Sequence, residues 1–189
     1  MRWRIVGKML IFKKFPPRTQ VASVYSVIML MVYGWTIYSF FWEVPSWLHY
    51  LNLGEIIALL AYSVVTNFIE SVAILGIPIT LALVLPKSWF LDRFVAQGSV
   101  MCAAGLGFAM YVASLLSYEE AFPIKLILKT TPRAIAGILV LTILSGGIKF
   151  LRGLIEKLAD RLIIFLYVSL PISAVSLVVV IFRNLVRSY

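Results

Sequence analysis

Residues 54–85 most limit what this chain can become. They are its longest apolar segment, about 32 residues. At about 1.5 Å per residue, a helix of that length reaches near 48 Å, well past the about 30 Å hydrocarbon core of a bilayer. It must therefore tilt, protrude or bend. Gly76 and Pro78 offer a place to bend, because proline removes a backbone donor and crowds the preceding turn. Glu55 falls near the start of the helix, where a negative charge is favoured. Glu70 is the one acidic residue well inside a hydrophobic run. A carboxyl among apolar residues is the strongest functional clue in the chain.

The rest of the sequence continues this pattern. It is 62% hydrophobic and 13% charged, with a mean hydropathy of +1.00. Soluble domains run near half apolar and a quarter charged. The expected fold is all-α: a polytopic integral membrane helical bundle of about five transmembrane helices, with interfacial amphipathic helices beside them. Residues 1–189 make one membrane domain with no room for a separate soluble one. The expected spans are 21–42, 54–85, 98–118, 134–148 and 162–182. The net charge of +9 comes from basic residues clustered beside the apolar runs. That placement suits orientation in the bilayer and attraction to an anionic inner leaflet, and argues against a nucleic-acid partner.

In chain order, residues 1–18 are basic, ahead of the stop at Pro16-Pro17. They read either as an interfacial helix or as a solvated tail, and both put the N-terminus in the cytoplasm. The far end of the first span carries Tyr33, Trp35, Tyr38, Phe40, Phe41 and Trp42, an aromatic belt for the outer face. Pro45 is expected to break that helix, and His49 beyond it reads as a head-group contact. In the third span Cys102, Gly105, Ala109 and Ala113 recur at three- and four-residue steps. Such a small-residue face lets another helix approach closely. Residues 119–133 read as a mixed-charge outer connection, with Thr131 capping a helix that starts at Pro132. The segment 134–148 is then a short span with Arg133 and Lys149 snorkelling at its ends, or a re-entrant piece. Residues 149–161 form an amphipathic helix for the inner leaflet or for docking a soluble partner, with Arg152 and Glu156 as an i, i+4 pair. Five spans leave the C-terminus outside, with Arg183 and Arg187 as the lesser conflict with the charge rule.

The candidate site is a polar stripe. About Glu70, at about 100° per residue, Ser63 lies about 20° away, Thr66 about 40° and Asn67 about 60°. A charged carboxylate in lipid is expensive, so Glu70 is expected to face the bundle. No Lys or Arg falls at a comparable depth in another expected span. The available partners are neutral: Asn67 on the same stripe, then Tyr111, Ser114, Thr142, Ser145, Tyr167 and Ser169. Two roles follow, a proton or cation site in a transport path, or a polar clasp that fixes packing or holds a partner.

Enzyme signals are thin. There is no G-x-S-x-G elbow, P-loop, G-x-G-x-x-G or H-E-x-x-H, and the paired carboxylates Glu119-Glu120 would point about 100° apart on a helix. One histidine and one cysteine argue against a metal site, and no cofactor is expected. The reading is a small non-enzymatic membrane protein, self-associating or an accessory subunit of a membrane complex. The alternative is a small transporter or channel-like protein using Glu70.

Overall fold

The computed structural model describes residues 15–118 and 124–187. Five long helices follow one another: α1 Arg18–Trp47, α2 Leu53–Val84, α3 Phe94–Tyr118, α4 Ile124–Gly147 and α5 Lys149–Arg187. A short 3-10 turn, Leu91–Arg93, leads into α3. No strand occurs among the described residues, and all five helices are long and apolar enough to cross a membrane.

Local chemistry sets several of the boundaries. Pro17 precedes the first residue of α1. At the start of α2, the Asn52 side chain accepts from the Glu55 backbone N–H at 3.0 Å. Glu55 Oε2 in turn accepts from the Asn52 N–H at 2.9 Å. This reciprocal cap satisfies two donors that a helix start leaves open. Pro86 follows the extended Leu85 at the other end of α2 and cannot continue the helix.

The helices alternate in direction. Tyr25 meets Ser71 and Tyr33 reaches the Val64 carbonyl, so α1 and α2 are antiparallel. Ser23 meets Asp160 and Tyr33 meets Ser173, so α5 runs parallel to α1. Gly98 lies against Val24, and Gly146 against Gln97, which makes α3 parallel to α1 and α4 antiparallel to α3. The start of α1 and the end of α5 therefore lie at opposite ends of the bundle. Arg18, Lys87, Arg93, Lys149, Arg152, Lys157 and Arg161 gather at the end where α1 begins, termed the lower end.

The centre is α1, not the longer apolar run of α2. It packs against α2, α3 and α5, while α4 sits outside against α3 and α5. Val24, Ile28 and Met29 are fully buried, as is Ser26 beside them. The small hydroxyls explain the choice: Ser26 shares its proton between the Ser23 carbonyl at 2.7 Å and the Ala159 carbonyl of α5 at 3.2 Å, and Ser23 donates to Asp160 Oδ1 at 2.7 Å. A face built of serines lets a neighbouring backbone come close.

Several expected boundaries move. Proline does not end α1, which continues through Pro45 to Trp47; there the missing N–H costs only a last-turn bond. His49 Nδ1 then donates to the Pro45 carbonyl at 3.0 Å. The expected helix start at Thr131-Pro132 is also overturned. Both residues lie inside α4, and the Thr131 hydroxyl donates to the Ile127 carbonyl one turn back. Arg133 is thus an interior residue of α4 rather than the end of a short span. The amphipathic stretch 149–161 and the span 162–182 are one helix, α5. It begins beside α3 and α4, where Arg152 bonds to Glu156 and to the Asp92 carbonyl at 2.8 Å each. By Asp160 it has reached α1. The basic segment 1–18, up to residue 14, and the Glu119-Glu120 pair lie outside the described residues.

Candidate functional site

The polar stripe of α2 divides into different roles. Ser63 and Thr66 spend their hydroxyls on their own helix, donating to the Leu59 carbonyl at 3.0 Å and the Tyr62 carbonyl at 3.1 Å. Such back-bonds satisfy a polar side chain in an apolar setting and bind nothing else. Asn67 is buried, and its Oδ1 accepts from Thr36 Oγ1 of α1 at 2.9 Å. This is a polar clasp between two helices. Glu70 is exposed, and among the described residues nothing donates to it.

Glu70 stands in a groove of about 190 Å³ between α2 and α3, floored by α1. Val32, Trp35 and Thr36 come from α1, Ile74 from α2, and Leu106, Ala109, Met110 and Ala113 from α3. The groove opens because α2 and α3 each pack on α1 far more than on one another. The stripe and the small-residue face, separate features in the sequence, meet here.

That face of α3 has two halves. Low on the helix, Gly98 and Cys102 lie against the core. A Cβ on Gly98 would come 3.3 Å from Val24 Cγ2, and Cys102 is buried. Higher up, a Cβ on Gly105 would meet nothing within 4 Å, and Ala109 and Ala113 line the groove. So α1 itself occupies the lower half of the face, and the upper half stays open.

The neutral groups expected as partners for Glu70 are engaged elsewhere. Ser114, Thr142, Ser145 and Ser169 each donate to a carbonyl of their own helix. Tyr111 and Tyr167 are exposed. The interhelical bonds that do form at mid-height were hidden in the sequence because they start from tyrosines of the aromatic-rich first span. Tyr33 pairs with Ser173 at 2.6 Å and Tyr25 with Ser71 at 3.2 Å. Ser23, Ser26 and Tyr33, at steps of three and seven and so on one side of the helix, were the available signal.

Two further clefts flank α5. One of about 350 Å³ lies between α1, α2 and α5, with Asn67 and Ser169 in its lining. The other, about 400 Å³ and almost wholly apolar, lies between α2 and α5. At the upper end Tyr62 donates to Asn184 Oδ1 at 2.6 Å, beside a groove shared by Glu55 and Arg183. At the lower end, the buried oxygens Gln20 Oε1, Gln97 Oε1 and Ser99 Oγ have no hydrogen-bond partner. Comparison with known protein families, curated proteins and solved structures finds no match to this chain.

Proposed function

We propose that the chain is a small non-enzymatic integral membrane protein that works by assembly, with itself or as an accessory subunit of a membrane complex. Membrane residence is supported by five helices of spanning length whose large aliphatic and aromatic side chains project outward, among them Ile69, Val140, Ile164 and Val178. An apolar exterior of that extent has lipid as its natural solvent. The gathering of Lys and Arg at the lower end supports a cell-membrane orientation with that end, and the N-terminus, in the cytoplasm. Leu154 and Leu158 stay half exposed on the amphipathic part of α5, which suits contact with an anionic inner leaflet.

One observation carries the assembly reading: a carboxyl at mid-height, without a partner among the described residues, in a groove that Ala109 and Ala113 help to line. A lone ionisable group at that depth marks a functional surface, and small residues beside it let a helix approach. The test is Gly105→Leu in the protein held in mild detergent or nanodiscs. The new side chain enters open space, so the fold is kept while the approach of a partner is blocked. Native mass spectrometry should show the wild-type complex and its loss in the variant; an unchanged complex overturns the reading.

The second reading, a small transporter or channel-like protein, draws on the same exposure of Glu70. If Glu70 is a proton or cation site, Glu70→Gln abolishes flux into liposomes while assembly is kept.

A further inference from the structure

We propose that a second copy of this chain occupies the Glu70 groove and that its Arg133 supplies the missing counter-charge. The inference rests on the assembly reading and names the partner.

The register of α4 puts the two charges within about 6 Å of one another in height, since Glu70 lies eight residues up α2 from Pro78, which packs beside Gly98. Gly146 packs on Gln97 where α3 and α4 run side by side. At about 1.5 Å per residue, Arg133 lies about 20 Å up α4 from that contact, and Ala109 and Ala113 lie about 18 and 24 Å up α3 from it. Those two alanines wall the groove that holds Glu70. Arg133 sits at this level because α4 starts by Ile124 rather than at Pro132. The other described cations lie nearer the ends: Arg18, Lys87, Arg93, Lys149, Arg152, Lys157 and Arg161 below, and Lys125, Lys129, Arg183 and Arg187 above.

Both Glu70 and Arg133 are exposed, and among the described residues neither has a hydrogen-bond or ion-pair partner. Within one copy α3 stands between them, since α4 packs on α3 and α5. Each ion is costly in hydrocarbon by itself, and pairing relieves both. At about 190 Å³ the groove is smaller than the roughly 300 Å³ at which small-molecule pockets begin. It suits one long side chain delivered by a neighbouring helix, and Ala109 leaves room for that helix to come close. Every copy carries both the groove and the cation, so the same contact can be made by each copy in turn, closing as a pair or a ring where the rotation between copies permits.

Charge exchange in the full-length protein tests this. Glu70→Arg and Arg133→Glu, made singly, should each weaken association in lipid nanodiscs by about tenfold or more. Glu70→Arg combined with Arg133→Glu should restore it. Helix content and unfolding midpoint report folding separately. If a reversed charge prevents folding, Glu70→Gln and Arg133→Gln carry the same test, the double variant losing no more association than either single one. A wild-type protein that stays monomeric overturns the pairing. So do single variants that assemble normally, a folded double exchange that stays apart, or association only with a foreign transmembrane peptide bearing a central lysine. Assembly that survives every charge variant but is lost in Gly105→Leu overturns the pairing and leaves the assembly reading standing.

Discussion

The lower end of the bundle and the groove at mid-height handle polar groups in opposite ways. At the lower end, Ser23 meets Asp160, Ser26 meets the backbone of α5, and Gly146 gives way to the Gln97 side chain. Val24, Ile28 and Met29 are sealed beside them. At mid-height, Glu70 and Arg133 are exposed on different helices, and neither has a hydrogen-bond or ion-pair partner among the described residues. The lower end carries many more charges, yet most of them need no partner in the chain, because groups at a bundle's end can reach water or head groups. Depth, rather than charge number, decides which residue must find a counterpart. The lower end is where the helices hold one another; the groove is where they stand apart.

Two substitutions at the closed end should break the fold and so sharpen the contrast. The larger effect belongs to Ile28→Ala, which empties a fully buried site on the central helix. Loss of packing there should cost about 2–4 kcal/mol in SDS-driven unfolding from mild detergent. Next comes Gly146→Leu. Even a Cβ there would come 2.9 Å from Gln97 Cγ and 2.8 Å from its Cδ, and Gln97 is itself buried and has nowhere easy to go. Overpacking of that kind should cost about 1–3 kcal/mol by the same measurement. A fall this large from Gly105→Leu instead would mean that the open half of the α3 face is closed in solution.

The helical class and the presence of five long apolar helices were legible because long apolar runs leave little choice of secondary structure in a chain this hydrophobic. The start of α4 was not. Thr131-Pro132 carries the local chemistry of a helix N-terminus, but a proline is tolerated inside a helix in apolar surroundings, where threonine back-bonds satisfy backbone carbonyls. That one boundary moved Arg133 from an end to the interior and changed which charges share a level. The site was legible in its residues but not in their division of labour. Ser63, Thr66, Asn67 and Glu70 share a stripe, yet which of them meets another helix depends on where α1 passes. The central place of α1 was masked because the longer, more apolar α2 draws attention, while close approach is set by the small hydroxyls of Ser23 and Ser26.

The smallest expected effect tests the boundary between the two regions. Thr36 and Asn67 form the one polar clasp beside the groove; Asn67 lines the cleft toward α5. Interhelical hydrogen bonds within membrane proteins average only about 0.6 kcal/mol, because the separated helices find other partners. A double-mutant cycle of Thr36→Val and Asn67→Leu should therefore give a coupling near that value in SDS-driven unfolding. Most of the loss should come from Thr36→Val, which strands the buried Asn67 amide, whereas after Asn67→Leu the Thr36 hydroxyl can turn back to its own helix. A coupling several times larger would mean that the clasp belongs to the closed core and that the groove is a shallow surface feature. A coupling near zero, with assembly weakened in either variant, would mean that the pair acts mainly to hold the wall of the groove at the height of Glu70.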